Sequence, residues 1–542
     1  MFNISYSDKK FLIIDSIKPS HDILKKFAMT LTTKPVDSTH YAQNVISLCL
    51  EKKYDIIFLG YDLGDKQKNG QQILEELRIS EVISRHCIVI MITAEMSQEM
   101  VLAALEHKPD CYLCKPYSIS TLHKRLNRCM LKKQSMYSIY QALENNDKRL
   151  TVSLVNEALS NDTPYKAECL GIQSRQYFEL EQFHQAEKIY TAYQNQPNCQ
   201  WANIGLGKIA LQNKDLLDAE SIFKGIIKNY PLYLPAYDWL AETYQKKSNH
   251  IFAEEILKQA VLLSPRSVRR LKGYAGLCFE NNNFENAANA YHHVYELAYN
   301  SIHHCPENAL CFVKSLTGYS ASLPLIDAKK MNNRAFAMLS QMNKNFHQSS
   351  LRVQSYLLSA CLLENIQDYT FAKTKLDQGV ELLNKERENM DADELADIAF
   401  SLSKLSRNSK AAQLLTSVNQ QTENQKGITS ESGTQNVIQM RESYAVKAQK
   451  ALTIGKELYE VKAYDEAIKS LTEALVLYPN HSGIKLNLIQ VLLTAYENDK
   501  FMYDELKQAK RMILDLITMS KDDELYDRLK KMQKKYQQLA SI

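Results

Sequence analysis

Four alanines recur at nearly constant spacing. Ala186, Ala219, Ala253 and Ala287 stand 33, 34 and 34 residues apart. Four residues after each comes a large side chain: Tyr190, Phe223, Leu257 and Tyr291. Twelve residues before each comes a small one: Ser174, Gly207, Ala241 and Ala275. Pro231 and Pro265 each follow their alanine by twelve residues. A fixed period of this length marks a stacked repeat. The small residues let the two antiparallel helices of one unit approach closely. The large residue fills the groove between them, and Pro opens the next helix, where its missing N–H costs nothing.

Further copies extend the pattern. Gly455, Tyr464, Ala467, Leu471, Ala474 and Pro479 repeat it near the C-terminus, and Ala360, Tyr369, Ala372 and Leu376 give another. Ala399, Ala411 and Leu415 form a weaker one. Residues 299–350 are helical in texture but fit the template poorly. The stretch around 419–436 (NQQTENQKGITSESGTQN) lacks periodicity and apolar residues, so it reads as a flexible linker. Asp504 to Leu539 reads as a charged amphipathic helix pair, the polar cap that an array needs.

Composition agrees. There are 15 Gly and 12 Pro in 542 residues, where average usage gives roughly 12% for the two together. So few turn residues exclude a sandwich or propeller of many short strands. The 66 basic and 62 acidic residues leave a net charge of +4, too little to imply a polyanion partner. No apolar run of membrane-spanning length exists. The N-terminus, MFNISYSDKKFLIID, lacks the pattern of a secretory leader, and eleven scattered cysteines suit reduced thiols better than a disulfide framework. The expectation is a cytoplasmic protein.

The first 130 residues read differently. FLII (from Phe11), DIIFLG (from Asp55), CIVIMIT (from Cys87) and CYLC (from Cys111) are short apolar runs. Helical patterns such as GQQILEELRIS and SQEMVLAALEH lie between them. This alternation predicts an open parallel sheet with helices on both faces, its function at the C-terminal strand ends.

The repeats resemble tetratricopeptide repeats, over about 165–418 and 444–500. The N-terminal landmarks FLIIDS, YDIIFLGYDLG, MITAE and YLCKPYS resemble the receiver domain of bacterial response regulators. The fold class so implied is an α/β receiver, with a flavodoxin-like parallel five-stranded sheet, followed by an all-α tetratricopeptide-repeat solenoid. The expected boundaries are 1–132 for the receiver, 137–418 for the array, 419–440 for the linker, and 441–542 for a last repeat with capping helices.

The resemblance implies a phosphoryl-transfer site with three carboxylates, of which two hold Mg²⁺ and one accepts the phosphoryl group. Asp15 matches the first acid, but Ser16 stands in place of the second. Gly60 stands where the acceptor aspartate is expected. Thr93 and Lys115 match the phosphoryl-sensing Thr and Lys, and Tyr112 matches the switch aromatic. Glycine has no nucleophile, and one carboxylate is a poor Mg²⁺ site. The sequence therefore predicts a pseudo-receiver with no cofactor, Mg²⁺ being expected only if the domain is active. Asp62, two residues past Gly60, shares its strand parity and is the alternative acceptor. Without the other acids, Asp15 and Lys115 are expected to form an ion pair.

Other candidates read as structural. Cys111 and Cys114 sit three apart in a strand, on opposite faces, which opposes a disulfide or a shared metal. His292, His293, His303, His304 and Cys305 lack a zinc-ligand spacing and read as solvated. Short basic pairs (Lys246-Lys247, Arg269-Arg270, Lys530-Lys531) read as solvated faces and not as a nucleic-acid stripe. No catalytic motif is present, so an enzyme is not expected. The expected function is protein recognition: the repeat groove holds a partner peptide or helix. The receiver face from Met100 through Tyr117 serves a partner or a second copy. The rival readings are a live phosphorelay regulator using Asp62 and an RNA-binding regulator using the repeat groove.

Overall fold

The computed structural model describes residues 4–64, 67–94, 97–390, 392–404, 452–477, 482–498, 503–516 and 525–540. The chain forms two compact units, 1–312 and 313–542. The first unit opens with a parallel sheet of β1 (Phe11–Ile14), β2 (Asp37–Thr39), β3 (Ile56–Gly60), β4 (Ile88–Thr93) and β5 (Cys111–Cys114). The strand order is β2-β1-β3-β4-β5. Helices α1 (Lys18–Leu31), α2 (Val45–Glu51), α3 (Gly70–Ile79), α4 (Gln98–Glu106) and α5 (Ile119–Ser135) connect and follow the strands.

Strand alternation sorts the apolar runs onto two faces. Leu12, Ile14, Ile57, Leu59, Val89 and Met91 pack with residues of α2, α3 and α4, including Cys49, Ile73, Leu74 and Ala104. Phe11, Ile13, Ile56, Phe58, Ile90 and Ile92 pack with Leu24 and Phe27 of α1 and Leu122 and Leu126 of α5. Burial on both faces is why these strands read as continuous hydrophobic runs. The edge strand β2, with sequence DST, gives no such run, so its residues offered no signal in the sequence.

The rest of the first unit is helical: α6 (Tyr137–Glu144), α7 (Lys148–Ser160), α8 (Lys166–Glu179), α9 (Phe183–Tyr193), α10 (Gln200–Gln212), α11 (Leu216–Asn229), α12 (Leu234–Lys246), α13 (His250–Leu263), α14 (Val268–Glu280) and α15 (Phe284–Ala298). Helix α16 (Pro306–Ala321) crosses the division between the units. The second unit continues with α17 (Leu325–Asn345), α18 (Ser349–Asn365), α19 (Tyr369–Glu386) and α20 (Ala392–Lys404). Residues 452–460 are helical, followed by helices Tyr464–Leu477, Ser482–Asn498, Tyr503–Asp515 and Tyr526–Ala540. Stretch 299–350 holds α16 and the 21-residue α17, longer than the repeat template allows, which accounts for its poor match. Ala411, Leu415, Pro479 and the linker expected over 419–440 lie outside the described residues. No helix among the described residues is long and apolar enough to cross a membrane.

The recurring small residues do what their spacing predicts. Ala186, Ala219, Ala253 and Ala287 are fully buried. A Cβ on Gly207 would lie 2.4 Å from the ring of Phe223, and one on Gly205 would lie 2.3 Å from the ring of Tyr190. Gly455 stands in the same relation to Leu471, at 2.6 Å. The backbone of one helix thus rests directly on the large side chain of its neighbour.

The turns inside each pair explain the scarcity of glycine. Glu181, Lys214, Ser248 and Asn282 all have φ between 56° and 62° and recur at the repeat period. After each, a backbone N–H reaches back to the preceding helix: Gln182 to Tyr177 O, Asp215 to Ala210 O, Asn249 to Tyr244 O and Asn283 to Cys278 O. Asp215 and Asn249 then cap the next helix through their side chains. This left-handed position is usually Gly; here ordinary side chains occupy it at a local cost of roughly 1 kcal/mol each.

Gly207→Ala should therefore destabilise the chain. In a helix interior Ala is favoured over Gly by about 1 kcal/mol. Overpacking against the fully buried Phe223 ring costs about 1–3 kcal/mol and should win. A urea midpoint at or above wild type would show that the Gly207–Phe223 contact does not set the approach of the pair.

Candidate functional site

The C-terminal ends of β1, β3, β4 and β5 converge on Asp15, which is 1% exposed. Its Oδ1 accepts from the Ile17 N–H at 2.9 Å, and its Oδ2 accepts from Ser20 Oγ at 2.6 Å and Lys115 Nζ at 2.9 Å. The expected Asp15–Lys115 pair is thus formed, with Ser20 as a third partner. Tyr117 stands nearby, its phenol pushed up to about 12 by burial and by the Asp15 charge.

Two histidines, which the sequence did not single out, complete the wall. His40 Nδ1 lies 2.9 Å from the Asp15 carbonyl oxygen, and its ring lies 4.0 Å from that of buried His21. Burial, then the adjacent His40, lowers the His21 pKa, while Asp22, 3.5 Å away, opposes the shift. Ser20, His21 and His40 become neighbours of Asp15 only through the β1–α1 connection and the β2 edge. No motif marks them.

Gly60 is the last residue of β3. A Cβ there would meet the Ile14 carbonyl oxygen at 3.0 Å and Asp15 Cα at 3.4 Å. Gly70, the first residue of α3, presses on the same turn: its N–H donates to Tyr61 O at 2.7 Å, and a Cβ on it would lie 2.3 Å from Gly60 O. Ser16 Oγ donates to the Asp62 carbonyl at 2.9 Å, so a neutral link joins the β1 and β3 loops. Asp62 itself is exposed, and its Oδ1 accepts from the Gly64 N–H at 3.0 Å. The strand ends at Gly60, so the parity argument does not reach Asp62, whose carboxylate closes its own turn. Thr93, buried, ends β4, and its carbonyl accepts from the Lys115 N–H at 2.7 Å. Tyr112 packs half-buried against the α2–α4 side of the sheet.

The sequence misread two surroundings, those of Arg270 and His303, and left the neighbour of Cys111 open: it is Cys129, and Cys111 and Cys114 are unpaired as expected. A hydrogen bond from Cys129, then the Arg125 guanidinium, holds the Cys111 thiol below the ordinary range. Arg270, read as part of a solvated basic pair, is 7% exposed and bound to Asp238 and Glu106. His303, read as solvated, lies 2.7 Å from Glu75. All three depend on contacts distant in sequence.

In the repeats, α8, α10 and α12 lie side by side. Lys208 Nζ sits 4.7 Å from the ring centre of Phe178 and 4.9 Å from that of Trp239. Burial lowers the Lys208 pKa, while Glu179 and Glu242 partly restore it. This half-buried stripe of aromatic rings and a cation spans the first helices of three successive pairs.

His21 gives the site a pH signature. Its folded pKa lies below its unfolded value, so the unfolded chain takes up the proton first as pH falls. Stability is complete above about 6.5 and declines below it. His86 and His107, also lowered by burial, contribute in the same direction. Between about pH 7.5 and 5.5 the wild-type unfolding midpoint should fall, and fall less in His21→Gln. Equal falls in both proteins would remove His21 from this account.

Comparison with known proteins agrees with the geometry. The family model for the response regulator receiver domain matches residues 11–127, and a tetratricopeptide-repeat model matches residues 173–233. The chemotaxis protein CheY-3 of Vibrio cholerae is 28% identical over 120 residues, 22% of this chain and 89% of that protein. A two-component response regulator from Clostridium difficile, of known crystal structure, is 27% identical with a TM-score of 0.20, covering 23% of this chain and 96% of that one. Residues 11–127 are thus a response regulator receiver domain, and with the tetratricopeptide repeat that follows they make this a response-regulator-like protein of the two-component type.

Proposed function

We propose that this chain is a cytoplasmic signalling scaffold in which a receiver without a phosphoacceptor is joined to repeats that bind partner proteins. One observation carries the reading. At the strand ends, where a receiver needs an acceptor, this chain has Gly60, and the one buried carboxylate there among the described residues, Asp15, is fully engaged by Lys115, Ser20 and the Ile17 N–H. The donor set does not fit Mg²⁺, which wants several free oxygen ligands in octahedral array. Ser16 supplies only a neutral hydroxyl, which donates its proton to Asp62 O, in place of a second carboxylate. We assign the protein no cofactor and no catalytic reaction. Receivers and tetratricopeptide repeats generally mediate protein–protein contact. The stripe of Phe178, Lys208 and Trp239 supports a peptide or helix as the ligand, because it offers aromatic faces and a partly desolvated cation together.

Radiolabelled acetyl phosphate with Mg²⁺ tests the receiver half. The full chain should take up no acid-stable, base-labile label. Uptake that disappears in Asp62→Asn would replace the pseudo-receiver with a live regulator using Asp62. Trp239→Ala and Lys208→Glu test the repeat half. Proteins that co-purify with the wild type from its native host should be lost from both variants, and an unchanged set would exclude this stripe as the binding surface.

A further inference from the structure

The receiver is joined to the repeats by more than the chain that links them. Helix α4 and the outer side of α3 pack onto residues at the turns between successive repeat pairs. Glu106, the last residue of α4, accepts from Arg270 Nη1 at 2.7 Å and from Ser264 Oγ at 3.1 Å. Arg270 also grips Asp238 with both remaining branches, Nε at 2.8 Å and Nη2 at 2.9 Å. Beside this network Leu102 of α4 joins an apolar cluster with Leu234 and Tyr237 of α12 and Ala260 of α13. On α3, Gln72 donates to the Leu297 carbonyl at 3.0 Å, and Glu75 lies 2.7 Å from His303 Nε2. Burial opposes ionisation of Glu75, yet His303 and His107 beside it hold its carboxyl below the usual range.

The chemistry favours a specific contact. A guanidinium offers a rigid planar fork that can satisfy two carboxylates at once, and Arg270 is all but excluded from water. With Glu106 removed, Arg270 keeps its two-pronged pair with Asp238 but leaves the Nη1 N–H without its carboxylate, and a buried donor without a partner is costly. One of its two carboxylates belongs to the repeats and the other to the receiver, so its full satisfaction requires the receiver to be seated. The apolar contact through Leu102 supplies non-directional attraction, and Arg270 fixes the register. The seat lies along the turns after α11, α13 and α15, whereas the Phe178–Lys208–Trp239 stripe runs over α8, α10 and α12; both use α12, the seat through Leu234, Tyr237 and Asp238 and the stripe through Trp239. The two surfaces are different sets of residues.

We propose that the α3–α4 face of the receiver is a docking surface whose occupant is the chain's own repeat array, with Arg270 as the residue that couples the two. This goes beyond the scaffold reading and does not depend on whether the receiver accepts a phosphoryl group. It assigns the outer face of α4, expected from the sequence to serve a second protein, to the repeats in cis. A displacement of α4 is passed to α12–α14 through Glu106 and Leu102, while the partner stripe stays accessible.

Hydrogen–deuterium exchange on the full chain tests this with Glu106→Arg and Leu102→Asp. Either substitution should raise exchange by about tenfold in segment 98–106 and, together with it, in 234–240 and 264–272, while β1 and β3 stay protected. Faster exchange in 98–106 alone, or in none of these segments, would overturn the proposal. If either variant also releases β1 and β3, Glu106→Gln provides the reading, since it keeps the shape and weakens only the contacts to Arg270 and Ser264. Joint loosening of α4 and 264–272 supports the dock, and loosening of one without the other refutes it.

Discussion

The helical part of this protein depends on one steric relation, a small residue facing a large one where two helices meet, within a pair at Gly207–Phe223 and Gly455–Leu471 and between successive pairs at Gly205–Tyr190. Gly207 against Phe223, Gly205 against Tyr190 and Gly455 against Leu471 leave no room for a methyl group. Close approach of the backbones buries the large ring completely, and burial of such rings supplies most of the stabilisation available to a two-helix unit. A single pair cannot cover its own outer face, so the next pair must stack on it. The same relation also sets which side chains come together on neighbouring first helices, and so creates the Phe178–Lys208–Trp239 stripe.

In the receiver the corresponding constraint is electrostatic. A carboxylate buried at the end of β1 must have its charge met. With Ser16 and Gly60 in place of other acids, Lys115, Ser20 and a backbone N–H do so entirely within the chain. The pocket is therefore self-satisfied. The proposed scaffold reading rests on that closure.

The sequence made the four long strands, the repeat period and the Asp15–Lys115 pair legible, because each rests on residue type at short or regular spacing. It did not reveal β2, whose three polar residues form an edge strand only because β1 offers a free side. Its few turn residues pointed to helices, but not to how the turns are made: Glu181, Lys214, Ser248 and Asn282 occupy the left-handed position usually held by glycine. Strand parity gave Asp62 the direction of Gly60, but the strand stops at Gly60 and a turn intervenes.

What the sequence determined by itself was the pair of architectures and the identity of the residues beside Asp15, Ser16 and Gly60 among them, since periodicity and residue identity are local properties. The tertiary structure alone decided which groups meet Asp15, and that Arg270 is a buried bridge and not a surface charge. Glu106 and Arg270 lie 164 residues apart. No spacing rule links them, and only the packing of α4 on the repeat turns removes water from between them and makes their charges count.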